Sequence, residues 1–210
     1  KEIWLKILIS YPELSRVSII VPKTDESLSY TGGEFLLPDE ENPNPAIVIL
    51  SAGDFLYEML KENRPSAIKI VAGLLGRSSA EISSDDLKKF IFLHEVGHAY
   101  DFISNFETNP QVGKEDAVYA WNLLRTEQMN SLPVPGLDQN DLRMAIADSK
   151  EISEFVEMRS ELGARIKELN ILTIEDLLFR QEIAYRNTQN ERYADQFAVK
   201  VLSLESRVTM

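Results

Sequence analysis

The stretch Phe90-Ile91-Phe92-Leu93-His94-Glu95-Val96-Gly97-His98-Ala99-Tyr100-Asp101 constrains this chain more than any other. On an α-helix, residues four apart lie about 40° apart around the axis, so His94 and His98 leave from one face. Their imidazoles can then grip a single Zn²⁺ from the same side, and Glu95 is placed to take a proton from the attacking water. The chain has only two histidines, and both are here. Two histidines scattered at random would fall four apart with a chance of roughly 1%. The competing reading is a pair of core histidines with a solvated glutamate. The flanks oppose it. Leu87, Phe90, Ile91 and Phe102 share the histidine side of the ideal helix, while Phe92, Leu93, Val96, Tyr100 and Ile103 cover the other. A helix apolar all round is buried, and polar groups in its middle need partners.

The remaining ligand must be a carboxylate. A catalytic zinc takes three protein ligands and keeps one position open; no histidine is left, and the chain has no cysteine. Asp101 shares the histidine face, but the helix would have to bend for it to converge, so a hydrogen bond behind the ligands suits it better. Glu191 is the stronger candidate. In Asn190-Glu191-Arg192-Tyr193-Ala194-Asp195-Gln196-Phe197-Ala198, Glu191 and Asp195 share a helix face with Ala194, Ala198 and Leu202. Small alanines let this helix press on the metal helix near Gly97, and Asp195 can accept the second N–H of a ligand histidine. The alternative for Glu191 is a capping box with Thr188.

H-E-x-x-H followed by E-x-x-x-D on a later helix resembles the gluzincin group of zinc metallopeptidases. The segment 191–198 is similar to the E-x-x-A-D-x-x-A helix of CAAX-prenyl endopeptidase-like peptidases. Residues 88–101 resemble the metal helix of anthrax lethal factor-like catalytic domains. The likeness covers about thirty residues in two pieces and implies a zincin-like core and peptide hydrolysis. In the lethal factor-like domains a tyrosine shortly before the ligand glutamate assists catalysis; Tyr185 lies one residue nearer than that position, with Tyr193 and Tyr100 as further donors to the oxyanion. Ser104 stands where the long H-E-x-x-H-x-x-G-x-x-H enzymes place a third histidine, which excludes that arrangement. The 92 residues between His98 and Glu191 exceed the usual gap and imply a helical insertion at about 107–187.

The rest of the chain supports an α+β fold, mostly helical, in one domain over 1–210. Strands are expected at Val17–Val21 and Ala46–Leu50, and a hairpin around Thr31-Gly32-Gly33, forming a small N-terminal sheet above the metal helix. Helices are expected over Ser51–Asn63, over Pro65–Leu75 (with strand as an alternative), and from the Ser83/Asp86 capping box to about Phe106. Further helices are expected over Glu115–Asn130, over Asn140–Asn170 as one long helix or two, and over Thr173–Asn187 and Asn190–Leu204.

At 210 residues and 44% hydrophobic content the chain can build a substantial core. A net charge of −12 opposes binding to nucleic acid or anionic membrane. No apolar run reaches membrane-spanning length, so a soluble protein, cytoplasmic or secreted, is expected. The first residue is lysine rather than methionine, which suggests a mature product or an excised fragment. The expected activity is a zinc-dependent endopeptidase acting on a peptide or protein. The alternatives are a non-catalytic zincin-fold module and a peptidase dedicated to one protein substrate. Composition says nothing of oligomeric state.

Overall fold

The computed structural model describes residues 2–22, 32–49, 54–137, 139–147 and 149–208. The chain falls into two compact units, Lys1–Asn122 with Asn190–Met210, and Leu123–Gln189.

The first unit is built around one helix. It begins with α1 (Glu2–Ser10) and a 3₁₀ turn (Pro12–Arg16), then β1 (Ser18–Ile20), β2 (Gly33–Leu36) and β3 (Ala46–Ile49). The sheet order is β1-β3-β2, with β1 parallel and β2 antiparallel to β3. The β-branched runs at both ends of this segment thus meet as neighbours, with Ile19 opposite Ile47. Leu28–Thr31, the expected first arm of the hairpin, lies outside the described residues, as does Ser51. Helices α2 (Asp54–Asn63) and α3 (Pro65–Leu74) follow. The second settles the helix-or-strand alternative: Pro65 sits in the first turn, where its missing N–H costs nothing, and Ala67, Ile68, Val71 and Ala72 make one buried stripe.

Helix α4 (Ser84–Asp101) carries the histidines. Its start is the expected capping box: Asp86 N–H donates to Ser83 Oγ at 3.1 Å, and Ser83 N–H donates to the Asp86 carboxylate at 3.1 Å. Buried residues occur all round α4 from Leu87 to Asp101. It does not simply continue to Phe106. The turn Phe102–Glu107 is π-helical, a wider winding that leaves Phe102 and Ile103 buried. One core then joins Leu14, Val17 and Ile47 to Phe90, Leu93, Val96, Ala99 and Phe102 of the α4 region. To it are added Trp121 of α5 (Ala117–Asn130) and Phe197, Ala198 and Val201 of the last helix, Gln189–Val208.

The second unit has its own core, which corrects the expectation for Asn140–Asn170. Instead of one or two long helices there are α6 (Gln139–Ala145), α7 (Ile152–Met158), a 3₁₀ turn (Ser160–Leu162) and α8 (Gly163–Glu168), followed by α9 (Ile174–Arg186). The breaks have local causes. Glu151 adopts extended backbone as a cap, Arg159 leaves the helical region at φ −127°, and Asn170 is left-handed at φ 51°. Breaking the span lets Leu142, Ile146, Phe155, Leu162 and Ile166 turn inward onto Val134, Ile171 and Leu177. One straight helix would scatter them. Gln181, fully buried on α9, holds the preceding proline-rich loop by accepting from Val134 N–H at 2.8 Å and donating to the Val134 and Leu137 carbonyls. The final helix, Gln189–Val208, is α10.

A candidate metal centre on two helices

The close approach of α4 and α10 is set by a glycine. A Cβ at Gly97 would lie 2.7 Å from Ala194 Cα and 2.9 Å from the Ala194 carbonyl oxygen, backbone atoms that cannot swing aside. Ala194 and Ala198 are fully buried at this contact, as their small size anticipates. Helices this close can share one ligand set.

They do. His94 Nε2 and His98 Nε2 stand 3.1 Å apart. Glu191 reaches in from α10, with one oxygen 3.2 Å from His94 Nε2 and the other 3.4 Å from His98 Nε2. All three residues are buried, and they are the one group of metal-ligating type found among the described residues. Asp101 is not a member. Asp195, one turn on from Glu191, meets His94 Nδ1 at 2.8 Å. The Thr188 hydroxyl donates to the Tyr185 carbonyl, and the Glu191 carboxylate faces the two imidazoles.

These distances can be tested against an ion. Donor atoms about 2.0–2.2 Å from a tetrahedral centre are separated from each other by roughly 3.3–3.6 Å. The 3.1 Å between the imidazole nitrogens, and the 3.2 and 3.4 Å from them to the two oxygens of Glu191, are close to that. Chemistry agrees. A carboxylate only accepts, so Asp195 fixes the hydrogen of His94 on Nδ1, and Nε2 of the neutral ring points a lone pair at a carboxylate and a second imidazole. Such convergence needs a cation at its centre, either a proton or a metal.

The titration of His94 reflects the same demand. Burial works to lower its pKa, but Asp195 and Glu191 outweigh burial and raise it to about 10. Burial likewise acts to raise Glu191, and the two imidazoles overcome it, holding that carboxyl well below the usual range. The two carboxylates thus favour a proton on His94, and a metal bound there must displace it. The sign follows. Below about pH 10 each binding event releases that proton, so zinc affinity should rise by up to about tenfold per pH unit between pH 6 and 8 and fall on acidification. Chelator-competition titrations across that range, with calorimetry in two buffers of different ionisation enthalpy, measure this. An affinity flat with pH and no proton release would contradict it.

The walls of the site are aromatic. Phe90 stacks near His94 and Phe35 near His98, each with ring centroids 6.3 Å apart, and Trp121 stands edge-on to His98 at 6.2 Å. Phe35 comes from β2. Two residues earlier on the same face, Gly33 lies against Glu95: a Cβ there would be 3.0 Å from Glu95 Cγ and 2.9 Å from an Ile91 methyl. Glu95 itself is buried, on α4 beside His94. Tyr100 and Tyr193 stack on one another at 6.3 Å and pack with Tyr11 and Phe197. Burial and the Asp101 charge push the Tyr193 phenol up to about 12. Tyr185 belongs to the second unit, half-buried on the last turn of α9. Sequence reasoning missed the aromatic walls and the Gly33 contact; the Gly32-Gly33 pair opening a strand was the available signal.

The sequence matches no protein-family model and no curated protein, and the fold matches no solved structure. No helix among the described residues is long and apolar enough to cross a membrane.

Proposed function

We propose that the protein is a zinc-dependent endopeptidase of the gluzincin type, with a zincin-like core. One observation carries this reading: His94, His98 and Glu191 converge as three buried donors, with Glu95 next to His94 on the same helix. Two imidazoles and a carboxylate suit zinc, and three protein ligands leave room for water and substrate. When bound, the ion supplies Lewis acidity that polarises a peptide carbonyl and makes water a better nucleophile near neutral pH.

The remaining work falls to the chain. Glu95 accepts a proton from the attacking water at its carboxylate and returns it to the leaving amine nitrogen. Asp195 holds the His94 ring so that Nε2 faces the metal. The peptide lies extended beside β2. Among the described residues β2 pairs only with β3, and its Gly33 and Phe35 face Glu95 and His98. Main-chain hydrogen bonds along that edge would hold a substrate with little regard to its side chains. The experiment is cleavage of a degenerate peptide library by the zinc-loaded protein, with Glu95→Gln as its paired control. Equal cleavage by both proteins would sink the reading.

A further inference from the structure

The two histidines of α4 differ on the side away from the metal group. His94 Nδ1 has Asp195 at 2.8 Å, whereas His98 Nδ1 is buried with no hydrogen-bond partner. One helical turn further on stands Asp101, 2% exposed. Its Oδ1 accepts from Asn105 Nδ2 at 2.6 Å, and its Oδ2 is also buried with no partner. A donor and an acceptor are thus left over together, three residues apart on one face of one helix. Each is a type of group that burial penalises until it is paired.

The surroundings brace the carboxylate rather than compete with it. Asn105 comes from the π-helical turn after α4, four residues beyond Asp101, and it lies close to the Tyr193 side chain on α10. When His98 ligates a metal through Nε2, its remaining ring hydrogen must sit on Nδ1, which makes that nitrogen an obligatory donor. We infer that Asp101 is a positioning residue whose Oδ2 accepts the Nδ1 hydrogen of His98, with Asn105 and Tyr193 steadying the carboxylate from the π-helical turn and α10. Each ligand histidine then has a carboxylate behind it, Asp195 for His94 and Asp101 for His98, raising the basicity of both rings. This inference rests on the metal reading of the triad.

The test compares the unaltered protein with Asp101→Ala, Asp101→Asn and Asn105→Ala. Zinc affinity is measured by chelator competition, and the imidazoles of the zinc-loaded proteins are followed by long-range ¹H–¹⁵N NMR. Asp101→Ala should weaken zinc by about 10–100-fold and remove the protected Nδ1–H resonance of His98. Asp101→Asn, which keeps an accepting oxygen, should lose less affinity and move that resonance upfield. Asn105→Ala should shift it in the same direction. Should Asp101→Ala fail to fold, the resonance in the other two variants decides. Unchanged zinc affinity with an unmoved His98 resonance would overturn the positioning role while leaving the metal reading intact. Absence of zinc binding by the unaltered protein would overturn the metal reading, and this inference with it.

Discussion

Glu95→Gln should bind zinc as tightly as the unaltered protein and hydrolyse peptides about 10²–10⁴-fold more slowly. The substitution is nearly isosteric, so the packing of Glu95 against Gly33 is kept. The three donors that converge do not include Glu95, so removing its charge leaves the ligand set whole. An amide, however, has no vacant basic oxygen with which to take a proton from water. The loss therefore belongs in kcat, with KM little changed. Zinc content, kcat and KM measured on the same preparation separate the possibilities. A variant that loses its metal would make Glu95 a ligand and remove it as the base.

Gly97→Ala should destabilise the protein by about 1–3 kcal/mol and weaken zinc as well. In an exposed helix interior the same change would stabilise by about 1 kcal/mol, because alanine is the better helix former. Here the added methyl would stand 2.7 Å from Ala194 Cα. Only separation of α4 from α10 relieves that contact, and separation carries Glu191 away from His94 and His98. Propensity and packing thus pull in opposite directions, and packing is the larger. Thermal unfolding and zinc titration of Gly97→Ala check both halves. A rise in melting temperature with unchanged zinc affinity would mean that the helices do not touch at this point.

The metal helix was legible because its information is local. A capping box at Ser83 and Asp86, apolar residues all round, and the chain's only two histidines at helical spacing need no knowledge of distant segments. The partner helix was legible for the same reason, since Ala194, Ala198 and Asp195 sit at fixed offsets from Glu191. What sequence left dark is long-range or depends on small backbone changes. Nothing in Ser18–Ile20 announces a parallel pairing with Ala46–Val48. Asn140–Asn170 read as one long helix or two because charged helix formers dominate the segment. Their inward turns at Glu151, Arg159 and Asn170 follow from the unit burying Phe155, Leu162 and Ile166, a tertiary demand that overrides propensity. Gln181, a polar residue on an exposed-reading helix pattern that sequence analysis did not single out, is fully buried because the proline-rich loop needs its amide. Asp101 was readable as a group behind the ligands, and its partner Asn105 lies at the ordinary i,i+4 helical spacing; the burial that leaves the other Asp101 oxygen without a partner is what spacing does not announce.

The central claim is that Glu191, brought from α10, completes a zinc site begun by His94 and His98. The most direct measurement is zinc stoichiometry and affinity of the purified protein beside Glu191→Ala and Asp195→Asn. The unaltered protein should bind about one zinc per chain. Glu191→Ala should lose more than the roughly 100-fold that marks the upper range for a residue acting behind a ligand, and Asp195→Asn should stay within about 10–100-fold. A different outcome would contradict the account: if Glu191→Ala keeps its zinc affinity and loses only about 1 kcal/mol of stability, Glu191 is a helix cap and not a ligand.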